Sequence, residues 1–217
     1  MDEGFTGESN GEKQIYTDRP KNLRLENNCL VIEAHAEEFR GYKYTSARIT
    51  TARLHSWVYG RFETRMKIPY GQGIWPAFWM LGDDRFTIGW PGCGEIDIME
   101  NIGNHPETIR GSLHGPGYSR DDNYGVDYSC PGMKFSDDFH LFAVEWEPRQ
   151  IRFFSDDNLF STVTPEALSG NWVFDHPFHV LINLAIGGVW PGYPDESTIF
   201  PQQLIVDYVK VYQKKDK

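Results

Sequence analysis

The sequence predicts an all-β protein in which two antiparallel sheets stack as a sandwich. Its 217 residues include 21 glycines and 13 prolines, and aromatic residues make up 15% of the chain. This composition favours short strands joined by turns. Roughly a dozen segments alternate apolar and polar residues with the period of a strand, and no window keeps a helical period. Curved sheets of this kind present a concave face that can hold an extended polymer.

The predicted elements follow one another after a polar stretch over residues 1–14. Single strands are predicted over 42–54, 59–68, 109–114, 179–185 and 204–213, and hairpins over 21–34 and 139–156. The segment 164–168 predicts at most one short helix, with Pro165 in its first turn. No internal repeat, linker or low-complexity tract interrupts the pattern, so the sequence predicts one domain over residues 1–217.

The formal charge of −10 narrows the possible partners. It disfavours nucleic acid and anionic membranes, whereas a neutral polymer is not repelled. No apolar stretch is long enough to span a membrane. The acidic, polar first residues do not form a signal peptide, so either the protein is cytosolic or its leader is absent from this sequence.

Three cysteines, Cys29, Cys93 and Cys130, are too few for a disulfide framework. One disulfide is possible with this number, but three buried thiols are the preferred interpretation.

The segment 94–101, Gly-Glu-Ile-Asp-Ile-Met-Glu-Asn, places three carboxylates among apolar residues. In a strand, Glu95 and Asp97 share one face and the isoleucines share the other. Glu100 falls on the isoleucine face unless one extra residue, most simply Met99, forms a β-bulge. Clustered carboxylates repel one another, and partial burial raises the pKa of at least one. The alternative interpretation is a solvent-facing edge strand with hydrated acids.

Two glutamates on one face, with an aspartate between them, suit double-displacement hydrolysis of a glycosidic bond. One ionised glutamate attacks the sugar carbon, and the other donates a proton to the leaving oxygen, with the carboxyls ~5 Å apart. The aspartate can share a proton with the nucleophile and so adjust the titration of the pair.

A second informative segment, 71–81, is apolar and contains two tryptophans. Trp75 and Trp79 suit either the core or a cleft in which indole faces stack on sugar rings. Pro76 is expected to interrupt regular pairing in this segment. His114 lies one predicted strand beyond the acids, where it is either a structural hydrogen-bonding residue or a neighbour of the acids.

The acid motif resembles the signature of the family-sixteen glycoside hydrolases, and its bulged form resembles the laminarinases and their agarase and carrageenase relatives. Further laminarinase-like segments follow in the family's order at 14–17, 59–63, 75–80, 111–115, 144–146, 183–188 and 206–209. These matches span nearly the whole chain. The resemblance implies a concanavalin-like jelly-roll sandwich with a concave substrate cleft.

The resemblance also implies roles for individual side chains. Glu95 is the expected nucleophile, Asp97 its partner and Glu100 the acid/base. The expected substrate-binding residues are Trp75, Trp79 and His114, with Trp90, Asn10 and Arg85 from flanking loops.

Many family members bind a structural Ca²⁺ on the convex side. The resemblance implies that Asp207 and a backbone carbonyl near Asn28 would contribute oxygen ligands, which suit this ion. No cofactor is expected for the chemistry. Family members also open with a strand some twenty residues ahead of the match at 14–17, so a shortened N-terminal strand is expected here.

The resemblance implies an endo-acting, retaining hydrolase that cleaves β-1,3 bonds in laminarin-type glucans. Two alternatives stay open. The same fold can act on mixed-linkage β-1,3-1,4-glucan or on an agar- or carrageenan-type galactan, or it can be a non-catalytic, lectin-like carbohydrate-binding domain. The expected partner is a β-glucan polysaccharide, without nucleic acid or membrane. The expected state is an extracellular monomer whose leader is absent from this chain.

Overall fold

The computed structural model describes residues 10–215, which form two sheets packed face to face. The strands are β1 (Gln14–Tyr16), β2 (Leu23–Glu26), β3 (Cys29–Phe39), β4 (Tyr42–Ser46), β5 (Arg48–Thr50), β6 (Gly60–Lys67), β7 (Ile74–Gly82), β8 (Glu95–Glu100), β9 (Thr108–His114), β10 (Tyr124–Ser129), β11 (His140–Glu147), β12 (Gln150–Ser155), β13 (Asn158–Val163), β14 (Phe178–Ile186) and β15 (Gln202–Tyr212). The predicted all-β sandwich is therefore confirmed.

The two sheets differ in size and in their role. The larger has the order β1-β4-β3-β15-β6-β11-β12-β13, with β2 also paired to β3. The smaller has the order β10-β9-β8-β7-β14-β5. Neighbouring strands are antiparallel, except that β1 pairs in parallel with β4. The acid motif occupies β8, near the middle of the smaller sheet.

The core lies between the sheets and is rich in aromatic side chains. Trp146 of the larger sheet is fully buried, and its ring centroid lies 5.3 Å from that of Phe178 in the smaller sheet. The indole N–H of Trp146 donates to the Phe174 carbonyl at 2.8 Å, so its one polar group is satisfied. Burying a large apolar side chain contributes about 1.5–3 kcal/mol, so these contacts hold the two sheets together.

The predicted strand over 42–54 is two strands that belong to different sheets. Strand β4 pairs with β3 in the larger sheet, and β5 pairs with β14 in the smaller one. Ala47, fully buried, lies at the crossing. Alternation continues through the crossing, so the sequence pattern alone did not separate the two. Strands β1, β10 and β13 were not predicted, whereas both predicted hairpins are present.

Pro76 does not interrupt its strand as expected. It lies within β7, opposite Leu184 of β14. Its carbonyl accepts a bond from the Asn101 N–H at 3.3 Å, just beyond the end of β8. The missing proline N–H therefore falls where the ladder with β8 has already ended, and a central strand tolerates it.

Three other expectations concern the cysteines, the membrane and the N-terminus. The thiols are free, but only Cys93 is buried; Cys29 and Cys130 are half-buried, so the expectation of three buried thiols was wrong. Within residues 10–215, no helix is both long and apolar enough to cross a bilayer. The predicted shortening of the first strand concerns residues 1–9, which lie outside the described part of the chain.

Candidate active site

Strand β8 contains the predicted bulge. On its β7 side, Trp79 pairs with Asp97 and the next residue, Phe78, pairs with Met99, so Ile98 is the additional residue. Both Ile98 and Met99 are fully buried in the core. The bulge was expected at Met99, but the pairing with β7 places it one residue earlier.

The β9 side of the bulge sets the neighbours of each acid. Glu95 pairs with His114, Asp97 with Ser112 and Glu100 with Arg110. Two residues of β8 therefore face Gly111 alone. This change of register keeps Glu100 on the same face as the other two acids, where all three line one cleft.

Glu95 is held by a tryptophan from the loop that precedes β8. The indole N–H of Trp90 donates to Glu95 Oε2 at 3.1 Å. On the other side, His114 Nε2 lies 3.8 Å from Glu95 Oε1. The Glu95 side chain is 19% exposed, which leaves the carboxylate open to a ligand in the cleft.

The proton position on His114 follows from its second ring nitrogen. The Arg120 backbone N–H donates to His114 Nδ1 at 3.3 Å, so the neutral ring carries its proton on Nε2. Nε2 lies 3.1 Å from Asp97 Oδ2, but the two are not aligned as a hydrogen bond, and Asp97 Oδ2 is buried without a partner. Asp97 is therefore the acid best suited to keep a proton of its own.

Glu100 is held by the first tryptophan of β7. The Trp75 indole N–H donates to Glu100 Oε1 at 3.0 Å, and the Trp75 ring packs edge-on against Trp190 with centroids 5.5 Å apart. The two glutamates thus have separate indole donors, which fixes them on either side of Asp97.

Burial is the main influence on all three carboxyls. Burial, followed by repulsion from Asp97, raises the pKa of Glu95 to about 8. Burial raises the pKa of Asp97 to about 8, against the opposing charge of Arg110. Burial and the charge of Asp97 raise the pKa of Glu100 to about 8. The cluster therefore retains protons at neutral pH, as a pair of one nucleophile and one acid requires.

A cleft of 550 Å³ opens above the three acids. Of the predicted binding residues, Trp75, Trp79, Trp90, Asn10 and Arg85 line it. His114, the sixth, lies beside Glu95 and Asp97 and approaches both from the neighbouring strand β9.

Several residues that line this cleft were not predicted as site residues. They are Glu12, Tyr16, Arg48, Phe86, Arg120 and Asn183, together with Ala77, Leu81 and Ala185. Asn183 accepts a 2.7 Å bond from the Trp79 indole and so fixes that ring. The segments containing Tyr16 and Asn183 already matched the family pattern, and this was the available signal for these two residues.

A second hollow, of 260 Å³, begins on the far side of Glu100. Its lining includes Trp190, His105, Arg110 and Asp127. Glu100 is the one acid of the three that lines both spaces, so the described residues leave room on both sides of it.

Two places bear on metal binding. Glu95, Asp97 and His114 bring potential ligand atoms within 4.8 Å of one another, but acid–base chemistry accounts for this grouping and we assign no ion to it. Asp207 follows Val206, which pairs with Leu30 close to the turn at Asn28, as the calcium expectation requires. Asp207 is, however, ion-paired with Arg65 at 2.8 Å.

Two glutamates separated by a buried aspartate, on one face of a β-sandwich and beneath a tryptophan-lined cleft, define a class of enzyme that hydrolyses glycosidic bonds. The chain belongs to the glycosyl hydrolases family 16, whose family model matches residues 2–210.

Individual relatives resemble nearly the whole chain. The laminarinase catalytic domain of Thermotoga maritima is 47% identical, with a TM-score of 0.93 over 98% of this chain and 88% of that one. The endo-β-1,3-glucanase of Pyrococcus furiosus is 44% identical, with a TM-score of 0.91 over 96% and 83% of the two chains. A β-glucanase of Rhodothermus marinus is 44% identical over 225 residues, covering 98% of this chain and 78% of the relative.

Proposed function

We propose that the protein is an endo-acting β-1,3-glucanase that cleaves laminarin-type glucans by double displacement, with retention of configuration. The bulge in β8 is the observation that carries the proposal, because it puts Glu95 and Glu100 on one face with a different indole donor for each. The laminarinases and β-1,3-glucanases among the relatives support the choice of linkage.

In the first step, the ionised carboxylate of Glu95 attacks the anomeric carbon of the sugar. Glu100, protonated, gives its proton to the departing glycosidic oxygen as the bond between carbon and oxygen breaks. A proton on Asp97 removes one negative charge beside Glu95 and so favours the ionised nucleophile. The hydrogen bond from Trp90 to Glu95 keeps the attacking carboxylate oriented.

In the second step, the ester between the sugar and Glu95 is hydrolysed. Glu100, now ionised, takes a proton from a water molecule whose oxygen attacks the same anomeric carbon. The Glu95 carboxylate leaves, and both glutamates return to their starting states. Two inversions at one carbon give net retention.

Endo action requires sugar units on both sides of the bond that breaks. The cleft over Glu95 and Asp97 would hold the sugar that is attacked, and the hollow beyond Glu100 would hold the leaving part of the chain. Trp75, Trp79 and Trp90 would stack on sugar rings, since an indole offers a large flat apolar surface.

The roles of the two glutamates are tested with the variants Glu95→Ala and Glu100→Ala. Both are assayed on laminarin and on an aryl glycoside of a β-1,3-linked glucose oligosaccharide. Both variants should lose hydrolysis of laminarin. Added azide should rescue Glu95→Ala with an α-glycosyl azide, because azide then attacks in place of the carboxylate. It should rescue Glu100→Ala with a β-glycosyl azide, formed from the glycosyl-enzyme.

The control for these variants is Glu166→Gln, which changes an exposed glutamate paired with Arg149 away from the cleft. It should retain wild-type activity. Equal laminarin hydrolysis by wild type and Glu95→Ala would reject the assigned nucleophile, and exchanged azide products would reverse the two roles.

One feature of the cleft favours a second substrate class. Arg48, Arg85 and Arg120 all line it, although the chain as a whole is acidic. Three cations could accept an anionic polymer such as a sulfated galactan. Each guanidinium also lies over an aromatic ring: Arg48 is 4.9 Å from the centroid of Trp79, Arg85 is 4.6 Å from that of Phe86, and Arg120 is 5.7 Å from that of Trp90. Such pairs of cation and ring can equally well line a site for a neutral sugar. Product analysis on laminarin, mixed-linkage glucan, agar and carrageenan separates these substrates.

We also propose that the protein acts outside the cell as a monomeric, single-domain enzyme, with the polysaccharide as its partner. A structural Ca²⁺ held in part by Asp207 and a carbonyl near Asn28 belongs to the same proposal. No step of the hydrolysis uses it.

A further inference from the structure

Arg110 lies on β9, directly opposite Glu100. Its side chain crosses towards the neighbouring strand β10. There Nη1 donates to Oδ1 of Asp127 at 2.7 Å, and Nη2 donates to Oδ1 of Asn123, the residue before the strand, at 3.4 Å. Directly opposed side chains on neighbouring strands have Cβ atoms about 4.5–5.5 Å apart, so the Arg110 side chain starts beside Glu100, and both residues line the second hollow.

A glycine makes room for this guanidinium. Gly125 of β10 pairs with Ser112, two pairs along from Arg110 and Asp127 and therefore on the same face of the sheet. A Cβ atom on Gly125 would lie 2.0 Å from Nη2 of Arg110. The guanidinium therefore occupies the space that any other residue at position 125 would fill.

The charged groups around Glu100 come from several elements. Strand β8 contributes Asp97 and Glu95, and β9 contributes His114 and Arg110. Strand β7 contributes the uncharged indole of Trp75.

Charges beyond these strands complete the surroundings of Glu100. Asp127 of β10 is paired with Arg110, and the loop after β8 places His105 in the hollow beyond Glu100. Glu12, Arg48, Arg85 and Arg120 line the cleft.

Arg110 acts on two of the three acids. Burial raises the pKa of Asp97, and Arg110 is the charge that opposes this effect. Burial and Asp97 raise the pKa of Glu100, which His114, Trp75 and Arg110 oppose. A guanidinium keeps its charge throughout the working range of an enzyme, so this influence does not switch off with pH.

We propose that Arg110 is a positioning residue of the active site: its guanidinium, held over Gly125 by Asp127 and Asn123, sets the pH range over which Glu100 holds the proton that it donates. This inference rests on the proposed acid/base role of Glu100. A general acid works best when its pKa lies near the working pH. Burial without the charge of Arg110 would raise the pKa of Glu100 further and make it a weaker acid.

The test is the pH dependence of kcat/KM for the variant Arg110→Met, measured on an aryl glycoside of a β-1,3-linked glucose oligosaccharide. The alkaline limb reports loss of the proton from Glu100. Removal of the positive charge should move that limb upward by roughly half a unit to one pH unit. The acid limb, which reports Glu95, should move less. Arg110→Lys keeps the positive charge, so its alkaline limb should lie close to that of the wild type.

A second variant moves the charge without removing it. Gly125→Ala should displace the guanidinium from its place on β10, and the alkaline limb should therefore move away from that of the wild type. The matched control is Arg152→Met, which removes an arginine of similar exposure that pairs with Glu145 and Glu147 in the larger sheet. Its limbs should coincide with those of the wild type.

The possible outcomes separate this inference from the proposed function. An unmoved alkaline limb in Arg110→Met would overturn the inference, even if the rate fell. If Arg110→Met does not fold, Gly125→Ala decides, and a wild-type limb in that folded variant overturns the inference. A wild-type protein that hydrolyses none of the polysaccharides would instead overturn the proposed function.

Discussion

At the scale of single residues, Asp97 is the most constrained of the three acids. It is 4% exposed, and its Oδ2 has no aligned hydrogen-bond donor. A buried carboxylate in that position is unfavourable unless it carries a proton, whereas Glu95 and Glu100 each accept an indole N–H. Asp97 therefore destabilises the fold, but it holds a proton next to the two glutamates that carry out the hydrolysis.

This arrangement predicts a particular pH dependence of stability. The pKa of Asp97 is raised to about 8 in the folded protein, above its value in the unfolded chain, so unfolding releases protons between these values. The free energy of unfolding should fall as the pH rises from about 4 to about 8. Asp97→Asn should show a smaller fall and, at pH 8, a Tm several degrees above the wild type, since 1 kcal/mol corresponds to about 2–4 °C here.

The measurement is thermal unfolding of wild type and Asp97→Asn at pH 4.5 and pH 8. Glu166→Gln, with an exposed carboxyl, serves as the control and should keep the wild-type pH dependence. Identical slopes in Asp97→Asn and the wild type would contradict the assigned burial. The rate of glucan hydrolysis should also fall, by roughly 10²–10⁴-fold if Asp97 manages a proton in the reaction.

At the scale of strands, the bulge in β8 depends on its neighbour β9. Gly111 faces the bulge, and an added Cβ would lie 2.8 Å from Cδ1 of Phe153, which belongs to the other sheet. The two sheets therefore approach each other closely at this point, next to the buried residues Ile98 and Met99 of the bulge. A side chain at position 111 would push the sheets apart directly beneath the acids.

Gly111→Ala should therefore destabilise the protein by about 1–3 kcal/mol through overpacking. Thermal unfolding of the variant measures this loss. The alanine should cost less in a Phe153→Leu background, because the smaller side chain can yield space. An equal cost in both backgrounds would show that the ring of Phe153 is not the obstacle.

The strand scale also shows how far sequence reasoning could go. The spacing of Glu95, Asp97 and Glu100 was enough to predict a bulge, because a regular strand would bury the last acid. Its location at Ile98 was not predictable, since pairing with two neighbouring strands decides which residue is left over. The crossing at Ala47 was missed for a similar reason: alternation says which side chains share a face, not which sheet a strand joins.

At the scale of the whole molecule, the cleft is assembled from segments far apart in the chain. Residues from the start of the described chain, Glu12 and Tyr16, meet Asn183 near its end. Gln14 makes this possible: it is fully buried, and its Oε1 accepts a 2.6 Å bond from the Ile186 N–H. Such long-range proximity leaves no trace in the alternation of apolar and polar residues, so only the family-like segments 14–17 and 183–188 offered a signal for Tyr16 and Asn183.

Gln14→Leu should weaken the contact between β1 of the larger sheet and β14 of the smaller sheet. It leaves the Ile186 N–H buried without a partner, at a cost of about 1–3 kcal/mol. Glu12 would also lose the 2.6 Å bond from Gln14 Nε2, so the KM for laminarin should rise while kcat changes less. Thermal unfolding and steady-state kinetics measure the two effects.

The control is Gln203→Leu, which removes an exposed glutamine that bonds Glu33 far from the cleft. Equal losses of stability and equal KM values in the two variants would contradict the role of Gln14 in holding β1 to β14 and in orienting Glu12.

The position of β15 has a consequence for biosynthesis. The last of the described strands in chain order, β15, lies between β3 and β6, with four strands on one side and four on the other. Until β15 has been translated, the nascent chain holds two half-sheets with open edges, so the larger sheet can close only once this strand has been made. Chaperone protection of those edges should thus matter more for the yield of this enzyme than for a protein whose final strand is peripheral.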